Sequence, residues 1–332
     1  MAQNSTSPCS FSTLKDVLRA MRVANSSAEE ITSLCPDVCT LAYGNGNPDL
    51  SGRGMMSCYL LNVAFSLLCG PTYTLTCWYY WLRAKDKPMA KPKIRRLFFE
   101  VQGLFTVPIF IASVVRIEQA PPLFEITFLQ FLNWTLAFSF YATFWSLYHS
   151  LRKWPMVFYT CCVVALQMTI FTRSGSQKPI PMEARQIIDH CTEHSAIAPQ
   201  YAGQDWKLQV AVGCAVVGFA LTILAIACIY SRASRRPFKR RPVFQMYGIC
   251  CAGMALYGAT QLVAVREAMR NDAGQAFMDD QWGFGQVAAV FMWVPWAIQI
   301  AEHVYGLIHS RQGSSSSSDN SSLEEEHNPS DV

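Results

Sequence analysis

Seven long apolar runs restrict the possible folds of this chain more than any other feature. A helix needs about 20 apolar residues to cross the roughly 30 Å of hydrocarbon in a bilayer. Backbone groups in lipid need internal partners, so only helices or closed barrels can span it. The runs are continuous rather than alternating, which excludes a barrel. The predicted spans are Ser57–Trp81, Leu97–Val115, Thr127–His149, Pro155–Phe171, Leu208–Tyr230, Val243–Val265 and Trp282–Ile308.

Lysine and arginine residues predict the orientation, because positively charged loops stay in the cytoplasm. Fifteen of them lie in three loops, which are residues 83–96, 150–154 and 231–242. Seven lie in the three alternate loops, which are twice as long in total and comprise residues 116–126, 172–207 and 266–281. The sequence therefore predicts an all-α, seven-helix transmembrane bundle with its N-terminus outside and its C-terminus in the cytoplasm.

The composition agrees with a multi-pass protein of the plasma membrane or an endomembrane. Only 15% of the residues are charged, against about 25% in a soluble domain. Most basic residues adjoin apolar spans, so the net charge of +4 indicates contact with the bilayer and no nucleic-acid partner. Residues 1–30 lack the apolar stretch of a signal peptide, so the first span is expected to act as the signal anchor.

Three regions follow from these spans. Residues 1–56 form an extracytoplasmic N-terminal segment, and residues 57–308 form the membrane domain. Residues 309–332 form a Ser-rich, acidic cytoplasmic tail that cannot bury a core and is expected to be disordered.

Four cysteines fall in segments expected outside, where disulfides form. They are Cys9, Cys35, Cys39 and Cys191. We predict at least one disulfide among Cys35, Cys39 and Cys191, and a bond from Cys35 or Cys39 to Cys191 would tie the N-terminal segment over the bundle. A metal site is not predicted, because no histidine cluster or second cysteine pair accompanies these residues.

The N-terminal segment carries two glycosylation triplets, at Asn4 and Asn25. Its last part, residues 41–52, is rich in glycine and proline and is expected to contain turns. Two interpretations remain open for residues 41–52. They form either a structured lead-in to the first span or a lid over an outward-facing cavity.

Ionisable residues inside spans are costly and often functional. Glu100 in the second span and Glu302 in the seventh are the candidates here. Each also has a structural explanation, since Glu100 could pair with Arg96 one turn away and Glu302 could sit near the inner end of its span. Amides add polarity at Asn62, Gln130, Asn133, Gln167, Gln245, Gln261 and Gln299.

The seventh span contains Pro295 between Trp293 and Trp296, and proline usually kinks a helix. A kinked, aromatic helix is a good wall for a cavity. Residues 283–288 match a dinucleotide-binding pattern formally, but no strand precedes them, so close helix packing is the better interpretation of their glycines. Gly248 and Ala252 in the sixth span predict similar packing.

Four segments together resemble those of a widespread group of fungal multi-pass membrane proteins with no established activity. They are Cys35–Cys39 (Cys-Pro-Asp-Val-Cys), Tyr43-Gly44, Gly46–Asp49 (Gly-Asn-Pro-Asp) and Trp282–Gln286 (Trp-Gly-Phe-Gly-Gln). The resemblance covers most of the chain. It implies a fungal source and a seven-span fold, and no particular chemistry.

Two other classes are similar in part. The topology is similar to that of G-protein-coupled receptors, but residues 148–152 (Tyr-His-Ser-Leu-Arg) lack their acidic-Arg-aromatic triplet, and no lysine in the seventh span could bind retinal. Small membrane-bound terpene cyclases of fungi also have seven predicted spans and intramembrane carboxylates. Glu100 and Glu302 are similar to those in kind, although the chain is longer and no motif matches.

The sequence leaves three functions open. The first is a receptor-like or sensor protein that binds a cytoplasmic partner at the basic loop 231–242. The second is a membrane-embedded enzyme, such as a terpene cyclase of secondary metabolism. It would take a lipophilic small molecule, with Glu302 as first candidate for the catalytic acid and Glu100 as second, because a carboxylic acid in a dry cavity keeps its proton at neutral pH. The third is a transporter. No cofactor is predicted for any of them.

Overall fold

The computed structural model describes residues 9, 11, 14–35, 37–44, 46–73, 75–76, 93–119, 122–147, 153–175, 182–193, 241–273, 277, 284–302 and 305. All regular elements among these residues are helices. The α-helices are α1 Leu14–Ala24, α2 Ala28–Leu34, α3 Asp37–Tyr43, α4 Pro48–Ser51, α5 Arg53–Leu67, α6 Lys93–Glu118, α7 Leu123–Leu147, α8 Lys153–Gly175, α9 Met182–Glu193, α10 Arg241–Ala273 and α11 Phe284–Phe291. Residues 294–302 are also helical.

Three stretches in the described part are long and apolar enough to cross a membrane: Pro48–Thr72, Arg96–Glu118 and Gln245–Asn271. A shorter apolar helix covers Trp154–Ile170. Six of the seven predicted spans coincide with helices, so the all-helical prediction is confirmed for the described residues. The remaining span, Leu208–Tyr230, lies outside them, as do residues 309–332.

Helix α7 lies at the centre of the bundle and packs against α5, α6, α8 and α10. Most of its side chains are buried, including the hydroxyls of Thr135, Ser139 and Thr143. The Thr135 hydroxyl donates to the Phe131 carbonyl at 2.7 Å. A helix that is covered by protein on all sides can carry such polar groups, because they need not meet lipid.

Glycines bring α10 close to α7. A Cβ added at Gly258 would lie 2.4 Å from the Thr135 hydroxyl, and one at Gly248 would lie 3.2 Å from the Ser146 hydroxyl. Ala252 is buried between these two positions. The small-residue packing predicted for Gly248 and Ala252 is confirmed, and its physical basis is the close approach of two helix backbones.

Short helices replace much of the irregular structure expected before the first span. Two of these helices have side-chain caps, in which Ser27 accepts from the Glu30 N–H at the start of α2 and Asn47 accepts from the Asp49 N–H at the start of α4. Between α3 and α4 the chain turns at glycines with positive φ, as expected for residues 41–52; Gly44 has a φ of 88°.

Two disulfides hold the N-terminal helices. Cys39, in α3, is bonded to Cys191, in α9. Cys35 is bonded to Cys9, which is one of the four cysteines expected outside but was not among the three predicted to form a disulfide. The bond to Cys191 ties the N-terminal segment to the residues that follow α8, and the expected disulfide is present.

Two helices are interrupted within their length. Helix α5 continues into a π-helical turn, Leu68–Thr72, where Gly70 has non-helical backbone angles and Pro71 lies inside the helix. The last helical stretch is interrupted at residues 292–293, just before Pro295. Prolines and π-turns are usual causes of helix kinks, so the kink predicted near Pro295 has its structural counterpart.

Candidate ligand-binding site

A side chain from α11 caps the start of α5. The residue that precedes α5 is Gly52, which has no side chain to cap the helix. Gln286, at the start of α11, supplies the cap, since its Oε1 accepts from the buried Gly54 N–H at 2.8 Å. Its Nε2 donates to the Pro48 carbonyl at 2.8 Å. Gln286 is itself fully buried, and its bond from the Gly54 N–H is buried, whereas its bond to the Pro48 carbonyl is partly buried.

The contact is close because glycines line it. A Cβ at Gly52 would lie 2.2 Å from the Gln286 amide nitrogen, and a Cβ at Gly285 would lie 3.0 Å from an Asp49 carboxylate oxygen. Two segments that stand out in the sequence, Gly46–Asp49 and Trp282–Gln286, therefore meet in space through their described residues. We call residues 47–54 together with Gly285 and Gln286 the N-terminal joint.

Two further side chains hold the N-terminal joint. The Arg266 guanidinium, near the end of α10, donates through Nε to the Ser51 carbonyl at 2.9 Å. It also lies 5.4 Å from the centre of the Phe277 ring. The Tyr59 hydroxyl, two turns into α5, donates to the Leu50 carbonyl at 3.1 Å. These bonds support the structured lead-in among the two interpretations of residues 41–52.

Beneath the N-terminal joint lies a group of aromatic rings from α5, α6 and the last span. We call it the aromatic cluster, and it consists of Tyr59, Phe65, Phe98, Phe105, Trp293 and Trp296. Ring centres lie 4.2 Å apart for Phe65 and Trp296, and 5.3 Å apart for Phe105 and Trp293. Such spacings are favourable for aromatic pairs. Tyr59 belongs to both the cluster and the support of the joint, so the two are directly connected.

Two amides lie at the same level within the aromatic cluster. Tyr59 packs near Phe105, and Phe65 packs near Phe98, so α5 and α6 run antiparallel. Asn62 lies between the two rings of α5 along the chain, and Gln102 lies between the two rings of α6. The antiparallel register therefore places the two amides at the same level. Both amides are fully buried.

Neither amide has a hydrogen-bond partner for its oxygen or its nitrogen among the described residues. A buried amide without partners costs about 1–3 kcal/mol, and native proteins rarely leave one so. Asn133, in α7, is a third buried amide of this kind. Asn62 and Gln102 are also flanked by aromatic rings from three helices, and this combination indicates a site for a mostly apolar molecule with one polar group.

The carboxylates singled out in the sequence lie elsewhere. Glu302 is exposed, and it lies about two and a half helical turns after Trp293, on the opposite face of a regular helix. Glu100 is half-buried and lies near Tyr159 on α8. On α6 it is on the face opposite the aromatic cluster, because it is displaced by about 160–220° from the cluster residues Phe98, Gln102 and Phe105. The structure therefore does not bring either carboxylate into the cluster.

Among the other predicted positions, Asn25 is exposed at the end of α1, as a glycosylation acceptor must be. Asn4 and most of the basic loop 231–242 lie outside the described residues. No group of three metal-ligating side chains occurs in the part of the chain that the structure covers.

Comparison of this chain with protein-family models, with curated proteins and with solved structures found no match.

Proposed function

We propose that this protein crosses the membrane seven times with its N-terminus outside, and that it is a receptor-like sensor for a small lipophilic molecule. The six described helices that coincide with predicted spans, the further apolar run Leu208–Tyr230 and the alternation of basic loops support this topology. With this orientation, the two disulfides lie outside, where they are stable.

The observation that carries the proposal is the pair of buried, unpartnered amides, Asn62 and Gln102, inside the aromatic cluster. Aromatic rings supply apolar contact area, and the amides supply both donors and acceptors for one polar group. The N-terminal joint covers the cluster on the outer side. A ligand that changes the cluster therefore acts on the last span, which also carries Gln286 of the joint.

A sensor is favoured over an enzyme because the cluster itself contains no carboxylic acid. Its one phenol, that of Tyr59, already donates to the Leu50 carbonyl, and amides do not donate a proton to an unactivated carbon or oxygen. An acid-catalysed cyclase remains the second candidate, with Glu302 and Glu100 as acids. Substituting both by glutamine keeps their shape and removes the acid. Loss of product in the native host would favour the enzyme, and unchanged function would exclude it.

A transporter is a third candidate. It would be revealed if the same host lost uptake of the ligand when this protein is deleted.

The binding experiment uses the purified chain in lipid nanodiscs and a panel of neutral sterols, terpenoid alcohols and aromatic alcohols. A ligand at about 100 times its Kd stabilises the folded state by about 2.7 kcal/mol, so thermal unfolding detects it. We expect saturable stabilisation of the wild type and loss of that response in the Asn62→Leu/Gln102→Leu double variant.

The matched control is Asn133→Leu, which also removes a buried, unpartnered amide but lies in α7. It should keep the ligand response. A panel without any saturable response, or an equal response in the double variant and the control, would contradict the proposed site. Co-purification of a cytoplasmic partner that depends on residues 231–242 would then test the sensor role separately.

A further inference from the structure

Trp293 lies among the aromatic rings that flank the two buried amides. The centre of its ring lies 5.3 Å from the ring centre of Phe105 and 6.2 Å from that of Phe98. These two residues lie about one turn on either side of Gln102. The Trp293 ring also lies 5.9 Å from Phe65, which follows Asn62 by one turn. The indole is therefore at the level of both amides. Its Nε1–H is also buried without a hydrogen-bond partner among the described residues, so the indole and the two amides leave each other unsatisfied.

Trp293 is also placed where the backbone can change conformation. Residues 292–293 form a turn between two helical stretches. The Trp293 N–H donates to the Val290 carbonyl at 3.1 Å, three residues back rather than four. Pro295 has no N–H, so it cannot donate to the Phe291 carbonyl as a residue in a continuous helix would. A rotation at this interruption moves the indole while breaking few backbone bonds.

We propose that Trp293 holds the place of the ligand, and that the ligand is a neutral, planar molecule about the size of an indole with one hydroxyl or carbonyl oxygen. This inference rests on the proposed function. When the ligand enters, Trp293 rotates away, and the ligand's oxygen bonds to Asn62 and Gln102.

The chemistry of the two amides selects this class. A hydroxyl donates to one amide oxygen and accepts from the other amide nitrogen, and a carbonyl accepts from both nitrogens. A charged ligand is disfavoured, because burial of a charge without a counter-charge is costly. The cluster itself offers no such counter-charge, and Glu100 lies on the opposite face of α6.

The experiment compares three probes of equal ring size in nanodiscs: 2-naphthol, 2-methylnaphthalene and the anion 2-naphthoate. We expect 2-naphthol to bind the wild type at least about tenfold more tightly than the other two. A difference in affinity of this size is what leaving a buried amide unpaired costs. Because Trp293 competes for the same space, Trp293→Ala should bind 2-naphthol at least about tenfold more tightly still. Trp296→Ala, which removes a neighbouring indole, should not.

A spectroscopic measurement keeps the test independent of how well these variants fold. Wild-type protein labelled with fluorotryptophan gives one resonance per tryptophan, and the resonance that Trp293→Phe removes is that of Trp293. It should shift on addition of 2-naphthol and stay unchanged with 2-methylnaphthalene.

The outcomes separate the two proposals. If 2-naphthol binds but the Trp293 resonance stays and Trp293→Ala binds no more tightly, the displacement is refuted while the ligand site stands. If none of the three probes binds while other panel ligands do, the ligand class is refuted. If the whole panel also fails, the proposed function is refuted as well, and Asn62 and Gln102 serve as partners for buried water.

Discussion

Replacing Gln286 by methionine should uncouple α11 from α5 with little change in the volume of the side chain. The amide of Gln286 makes two hydrogen bonds of 2.8 Å, a buried one from the Gly54 N–H and a partly buried one to the Pro48 carbonyl. Methionine has a similar length and no comparable donor or acceptor. The substitution therefore removes the cap of α5 and leaves packing nearly intact.

The two bonds differ in what their loss costs. The Pro48 carbonyl keeps a second donor, the Gly52 N–H at 3.2 Å, so losing the Gln286 bond costs about 0.5–1.5 kcal/mol. The Gly54 N–H is in the first turn of α5 and has no partner within the helix. Leaving it buried and unpaired costs about 1–3 kcal/mol. The expected loss in the free energy of unfolding is the sum, about 2–4 kcal/mol.

Thermal unfolding in detergent, followed by far-UV circular dichroism, measures this loss. For 332 residues, the usual entropy of unfolding per residue converts it to a decrease in Tm of roughly 3–6 °C. Gln299→Met is the matched control, because Gln299 is an exposed glutamine of the same span. If the two variants had Tm values within about 1 °C of each other, which is less than about 1 kcal/mol, the capping role of Gln286 would be refuted.

Three further predictions follow from the packing, the disulfides and the N-terminal segment. Gly258→Ala should lower the stability by about 1–3 kcal/mol, because the new methyl group meets α7. Gly253→Ala is the control, because a Cβ at Gly253 would have no neighbouring atom within 4 Å. It should raise the stability by about 0.5–1 kcal/mol. A stability gain in both variants would contradict the packing of α10 on α7. Peptide mapping without reductant should recover Cys39 linked to Cys191, and Cys39→Ser should cost about 2–4 kcal/mol; free thiols at both positions would contradict the disulfide. Asn25→Gln should remove a shift in electrophoretic mobility that glycosidase treatment also removes, and an unchanged mobility would show that Asn25 carries no glycan.

The sequence predicted the helices well where lipid chemistry alone decides them. A run such as Leu97–Val115 must be helical to satisfy its backbone in a bilayer, and α6 covers it with a few residues more at each end. The sequence did not predict the short helices α1 to α4, since helices of this length are stabilised by tertiary contacts and disulfides. Nor did it show that α7 is central, because its place depends on which neighbours cover it.

The candidate site was predicted only in part. Asn62, Trp293 and Trp296 were noticed as intramembrane polar or aromatic residues. Gln102 was not, although its spacing from Phe98 and Phe105 puts all three on one helical face. Glu100 and Glu302 drew attention because charge is costly in lipid, yet the structure places them away from the aromatic cluster. Which helix faces meet is a tertiary property, and a single sequence does not contain it in readable form.

The most direct test of the account is a topology measurement, because the site is functional only if its N-terminal joint faces outside. A reporter that is active only in the cytoplasm is fused after residue 88, after residue 193 and after residue 332. Seven spans with an outer N-terminus predict activity after residues 88 and 332 and none after residue 193. An inactive, translocated reporter after residue 332 would contradict the seven-span topology, and activity after residue 193 would place the disulfides and the N-terminal joint on the wrong side of the membrane.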